Sequence, residues 1–209
     1  MVSMLKKIGK IVLKSLIVIA FIGILVVGYR NYQILKQVHQ YDATVTKTVK
    51  KYQIPAQEKL AQAIIFTESK GQGADIMQSS ESSYGEQNKI ATSDESIDAG
   101  VKFLATAVKK AQAANCDIWT AVQAYNFGLD YIDFVAKNGG KNTVELAEKY
   151  SKDVLSPILG NQDKTKYRYW GIQSFFYNGG FLYHNGGNMF YADVVKLNEK
   201  KIHWTNFLF

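Results

Sequence analysis

From Ile11 to Tyr29 the chain reads IVLKSLIVIAFIGILVVGY, about 19 residues with one charge, the length and polarity that a bilayer core demands. Lys14 lies near its start, where a long amine snorkels to the headgroups. A segment of this kind cannot serve a water-soluble core, so whatever folds must come from the residues after Arg30. The flanks are asymmetric: Lys6, Lys7, Lys10 and Lys14 precede the uncharged run and no acid occurs before Arg30. The positive-inside rule then puts the N-terminus in the cytoplasm and the rest of the chain outside the membrane. A cleaved signal peptide is the competing reading, but VVGYRNYQ has no small-x-small step. The expected plan is an N-terminus and single-pass anchor over 1–30, a polar stalk over 31–50 and a domain over 51–209.

The net charge of +7 invites a nucleic-acid reading. Five of the 25 Lys and Arg fall in the first 30 residues, which leaves 20 bases against 18 acids elsewhere. The basicity thus belongs to the membrane signal, and no nucleic acid is expected as a partner. The lone Cys116 excludes an internal disulfide and reads as a small packed residue. A thiol nucleophile needs an activating base, and none of His39, His184 or His203 stands in a recognisable pairing motif. No metal is implied, because no His, Cys and carboxylate cluster has ligand spacing. No nucleotide cofactor is implied either, since no Gly-rich segment carries the Lys-Ser/Thr step of a phosphate loop.

Apolar spacing places the helices. Tyr32, Leu35 and Val38 mark one face of the stalk, and Pro55 suits the first turn of a helix. In AQEKLAQAIIFTES, Leu60, Ile64 and Glu68 are four apart and Ala61 and Ile65 lie beside them, so Glu68 projects from the apolar face at the last turn. Residues 71–92 lack periodicity and read as a loop. Ser93 is a candidate N-cap followed by Asp94 and Glu95. The helix it opens runs to about Ala114, with Ile97, Val101, Leu104 and Val108 as its stripe. Further helices cover about 118–126 and 129–137, and another, capped by Asn142 or Thr143, runs through Tyr150. No strand alternation precedes residue 165, so the fold is expected to be all-α, or mainly α. The last 43 residues hold 13 of the 27 aromatics. They either fill a core or form a wall on which sugar rings stack, and FLYH between two Asn-Gly-Gly steps is either a small hairpin or tight loops.

Glu68 carries the chemistry. Burial on an apolar face and the negative end of a helix dipole both disfavour ionisation. A carboxyl that keeps its proton near neutrality is what glycosidic cleavage needs. The alternative is a helix-end glutamate turned to solvent or paired with Lys70.

Three motifs in order add to this: Glu68-Ser69, Met77-Gln78, and Ala124-Tyr125-Asn126-Phe127-Gly128. Together they resemble the lysozyme-like superfamily of goose-type lysozymes and soluble lytic transglycosylases. Asp75-Ile76-Met77-Gln78-Ser79-Ser80-Glu81-Ser82 is similar to its CwlT-like branch in Gram-positive bacteria. The likeness spans about residues 45–200. It implies a lysozyme-like domain behind a transmembrane helix, acting on the β-1,4 bond between N-acetylmuramic acid and N-acetylglucosamine in wall remodelling and division. Residue by residue, it implies Glu68 as general acid. Gln78, Ser79 and Ser80 would hydrogen-bond the glycan, and Tyr125 and Asn126 would line the cleft, with Tyr125 bonding Glu68. Asp75 is the candidate second carboxylate that positions water, with Glu81 behind it; both have loop-capping as the bland alternative. Asp75-Ile76 stands where transglycosylases usually have Gly-Leu, which favours a hydrolase over a lytic transglycosylase. A non-catalytic glycan-binding scaffold for wall or division proteins is the rival from another class.

Overall fold

The computed structural model describes residues 2–80, 85 and 89–209. Helix α1 (Val2–His39) is unbroken. Its stretch from residue 8 to 30 is exposed throughout, and Ile8–His39 includes a window apolar enough to cross a membrane. Beyond Arg30 the helix changes partners. Leu35 and Val38 are buried in the same core as Val45 and Val49 of α2 (Asp42–Lys51). The segment expected to be a stalk is therefore part of the domain. Sequence spacing found its apolar face, but not the α3 surface that covers it.

A short 3-10 turn, Pro55–Gln57, leads into α3 (Glu58–Glu68). Every residue of α3 from Leu60 to Phe66 is buried. A helix buried on all sides is a central element, and α3 packs against α1, α2 and the helix Tyr191–Thr205. Truncating Ile64 there would cost about 2–5 kcal/mol. Helix α4 (Ser93–Ala113) buries the expected stripe, but its cap is Thr92, one residue earlier than expected. Thr92 Oγ1 accepts from Glu95 N at 3.2 Å while Glu95 Oε2 accepts from Ala91 N at 3.2 Å, a reciprocal arrangement that favours Thr at this spacing from Glu. Helices α5 (Ile118–Phe127), α6 (Asp130–Ala136) and α7 (Val144–Tyr150) follow. Asp117 caps α5 and Thr143 caps α7. Helix α7 runs on through a π-turn, Ser151–Leu155, into α8 (Ser156–Ile158).

The aromatic region has its own topology. Strand β1 (Lys166–Arg168) pairs antiparallel with β2 (Phe181–Tyr183), Tyr167 opposite Leu182, and α9 (Ile172–Asn178) lies between them. FLYH is thus one strand of this ribbon and not a hairpin of its own. Helix α10 (Tyr191–Thr205) returns along α3, and a 3-10 turn, Asn206–Leu208, follows. Leu182, Met189, Phe190, Tyr191, Val195 and Ile202 enter the main core. The fold is mainly α, with this short ribbon as its β content among the described residues.

Candidate active site

Glu68 is the last residue of α3. Ser69 then ends the helix, donating from Oγ to Ile76 O at 2.8 Å and accepting from Gly71 N at 3.1 Å. Gly71 has φ +76° and packs against the Gln37 backbone of α1. The chain thus turns sharply below Glu68 and brings residues 75–80 back beside it.

The partner of Glu68 is Tyr191, not Lys70, which is exposed. The buried Tyr191 hydroxyl donates to Glu68 Oε1 at 2.5 Å. Burial pushes the Glu68 carboxyl above the ordinary glutamate range; the Tyr191 hydrogen bond partly offsets this, and the charge of Asp75 adds to it. Burial also holds the Tyr191 and Tyr125 hydroxyls far above the usual phenol value, so both act as donors.

Tyr125 does not bond Glu68, as the resemblance implied. Its ring lies parallel to that of Tyr191, centroids 6.3 Å apart, and its hydroxyl donates to Met77 O at 2.9 Å. It ties α5 to the 75–80 loop and backs the tyrosine that does bond Glu68. Gly100 of α4 makes this approach possible: a Cβ there would lie 2.7 Å from Met77 Cβ and 2.8 Å from the Tyr125 hydroxyl.

Asp75 organises the loop. Its Oδ1 accepts from Ser96 Oγ at 2.7 Å and Ser79 N at 2.9 Å, and its Oδ2 accepts from Ser80 N at 3.0 Å. Burial alone would raise its pKa, but these hydrogen bonds outweigh that and hold the carboxylate below the usual aspartate value. The capping alternative thus describes what Asp75 does within the fold. Ser79 and Ser80 are buried beside the half-buried Asp75: Ser79 Oγ donates to Ser96 O at 3.1 Å and Ser80 Oγ accepts from Ile90 N at 3.2 Å. Their hydroxyls serve the loop. Gln78 is exposed with φ +49°, in the left-handed region that non-glycine residues avoid, and strain of this kind gathers at functional sites. Glu81 lies outside the described residues.

Asn126 is exposed, and its Oδ1 accepts from Asn188 N at 2.7 Å. Gln123, a buried residue absent from the sequence-based site, donates from Nε2 to Asn188 O at 2.8 Å and accepts at Oε1 from the Ala192 N–H at 3.1 Å. Together they fix the start of α10, and with it Tyr191. The signal for Gln123 is a polar side chain inside the otherwise apolar AVQA. Tyr191 carried none, since its partner lies 123 residues earlier in the chain.

The aromatics divide between the two roles left open. Tyr183, Phe190 and Tyr191 are buried, whereas Trp170, Phe175 and Phe176 are exposed. With Arg168, Tyr169 and Ile172 the exposed set lines a groove of about 360 Å³. Its wall residue Tyr169 accepts from Asn188 Nδ2 at 3.2 Å and stacks on Phe190, so the groove adjoins the start of α10. Cys116 packs with Sγ 3.8 Å from Ile132 O, and burial raises its thiol pKa. Among the described residues no three His, Cys, Asp or Glu side chains gather as metal ligands.

The arrangement, one carboxyl pushed up and a neighbouring one held down, is how a site separates acid and base roles. A family model described as Lysozyme-like matches residues 35–199, from the buried end of α1 to the last helix. The chain belongs to the lysozyme-like family. It is 46% identical over 171 residues to pneumococcal vaccine antigen A of Streptococcus pneumoniae, covering 82% of this chain and 83% of that one. It is 34% identical over 142 residues to the uncharacterized membrane protein YocA of Bacillus subtilis, 65% of this chain and 63% of that one. The bifunctional muramidase/DL-endopeptidase CwlT of Bacillus subtilis is 36% identical over 124 residues, 59% of this chain and 37% of that one. A crystal structure from Staphylococcus aureus, described as similar to a lipoprotein of the NLP/P60 family, superposes with a TM-score of 0.71 at 32% identity. The match covers 78% of this chain and 52% of that one, so this lysozyme-like chain spans about half of the staphylococcal protein.

Proposed function

We propose that this membrane-anchored domain cleaves the β-1,4 bond between N-acetylmuramic acid and N-acetylglucosamine in peptidoglycan, with Glu68 as general acid. The observation that carries the reading is the buried Glu68 carboxyl, oriented by the Tyr191 hydroxyl at 2.5 Å and pushed above the ordinary glutamate range. Glu68 gives its proton to the glycosidic oxygen as the bond to the muramic acid C1 breaks. Water then adds at C1, its released proton returns to the Glu68 carboxylate, and the product carries a reducing end. Asp75 acts through its fixed negative charge, which supports the developing positive charge on the sugar and keeps Glu68 protonated. Gln78, exposed on the loop, meets the glycan, and the strand continues over the aromatic groove beside Tyr169. The muramidase name of the relative CwlT supports the hydrolytic outcome. Helix α1 holds the domain to the membrane, with the basic flank inside and the cleft outside.

One observation favours a second outcome. Both Asp75 oxygens are engaged by donors of its own loop and of Ser96, so Asp75 is poorly placed to activate water. Attack by the muramic acid 6-hydroxyl needs no second carboxylate and gives a 1,6-anhydro end. Digestion of purified peptidoglycan by the full chain in detergent micelles, read by mass spectrometry, tests both. Reducing ends support the hydrolase; products lighter by one water support the transglycosylase. Intact glycan with wild-type protein would oppose both.

A further inference from the structure

Helix α1 leaves its apolar stretch at Tyr29 and carries on without a break into the domain. At 1.5 Å per residue, Tyr32 stands only about 5 Å beyond Tyr29. The ring of Phe209 stacks on Tyr32, centroids 5.7 Å apart, and on His39, centroids 4.5 Å apart. Phe209 is therefore fastened to α1 between Tyr32 and His39, within about 5–15 Å of the end of the apolar stretch. Residues 204–209 expose four large apolar side chains: Trp204 at 71%, Phe207 at 83%, Leu208 at 51% and Phe209 at 44%. Leu197, also exposed, lies two helical turns before Trp204 on the same face of α10. Lys36 and Lys200 are exposed, Lys36 one turn beyond Tyr32 on α1 and Lys200 one turn before Trp204 on α10. Apolar and aromatic side chains flanked by lysines, at the height of a membrane surface, form the pattern of an interfacial contact.

We infer that Trp204, Phe207 and Leu208 lie in the outer interfacial layer of the bilayer that α1 crosses, giving the domain a second membrane contact. The inference rests on the reading of α1 as a membrane anchor. Its consequence is orientation. A single helix leaves a domain free to tilt about its exit point, whereas a second contact fixes the tilt. Gly71, three residues from Glu68, packs on Gln37, about 12 Å along α1 from Tyr29. The cleft is thereby held close to the membrane.

The test uses the full chain reconstituted in vesicles of phosphatidylcholine and phosphatidylglycerol, with part of the phosphatidylcholine brominated at carbons 6 and 7. Wild type and Trp204→Tyr are compared by fluorescence. Trp204 in the interface predicts a quenched component in wild type, about a third of the emission given three tryptophans, that is lost in the variant. Phe207→Ser with Leu208→Ser should reduce that quenching at least twofold and increase quenching by aqueous iodide. Equal bromine quenching in wild type and Trp204→Tyr, with full access of Trp204 to iodide, would overturn the inference in favour of a protein-facing or free surface. Flotation of the same vesicles separates the two levels: if the chain stays behind, the anchor reading itself has failed.

Discussion

The Tyr191 hydroxyl and the Glu68 carboxyl meet at 2.5 Å, joining the first turn of α10 to the last turn of α3. The bond does two things of opposite sign. It orients the carboxyl, and by stabilising the ionised form it moderates the rise that burial imposes. Tyr191→Phe should therefore move the alkaline limb of the kcat/KM profile to higher pH while lowering kcat. A hydrogen bond to a charged group is worth about 1.5–3 kcal/mol, so the loss should be about tenfold or more. A fall in rate with an unmoved limb would show that Tyr191 serves packing alone.

Under the proposed mechanism the two carboxylates set both limbs of that profile. Cleavage needs Glu68 protonated, so activity falls as pH rises through its raised pKa. It needs Asp75 ionised, so activity falls as pH drops through its lowered pKa. The plateau between them is wider than two ordinary carboxyls would give. Rate measurements from pH 3 to 9 on a soluble glycan check this; an alkaline limb within the ordinary glutamate range would contradict it.

The stability contribution of Glu68 should fall in the same direction. A buried glutamate with a raised pKa binds its proton more tightly when folded. The native state therefore loses stability as pH rises from the ordinary glutamate value through the raised one. Glu68→Gln removes that penalty. It should raise Tm near neutral pH, by about 2–4 °C for each kcal/mol, and the gain should vanish in acid. Thermal melts of both proteins at pH 4 and pH 8 test the sign.

Asp75→Asn is a poor reporter of water activation, because it also weakens three hydrogen bonds of the loop. Gly100→Ala perturbs the same loop without touching a carboxylate. Its methyl would meet Met77 Cβ, an atom close to the backbone that cannot swing away. Overpacking of this kind costs about 1–3 kcal/mol. Loss of activity in Gly100→Ala comparable to that in Asp75→Asn would mark Asp75 as a loop organiser; full activity would mean the loop tolerates displacement.

What could be read from the sequence follows from the range of the interactions. Glu68 was visible because Leu60 and Ile64 repeat at helical spacing on its own helix. The α4 stripe was visible for the same reason. Tyr191 and Gln123 act through contacts 123 and 65 residues away, which no local period encodes. Thr92 and Ser93 compete as caps, and the reciprocal bond with Glu95 decides between them. Strands β1 and β2 are three residues each, too short for alternation to register. The segment 31–50 differs: the spacing of Leu35 and Val38 marks an apolar face, but a short amphipathic helix does not disclose what it packs against.

The most direct test compares wild-type and Glu68→Gln full chains, both shown to be folded, on purified peptidoglycan with muropeptides read by mass spectrometry. Losing the acid should cut glycan cleavage by about two to four orders of magnitude, with binding to the insoluble wall retained because Gln keeps the shape and hydrogen-bonding reach of Glu. Cleavage by Glu68→Gln within a few-fold of wild type would contradict the assignment of Glu68 as the acid.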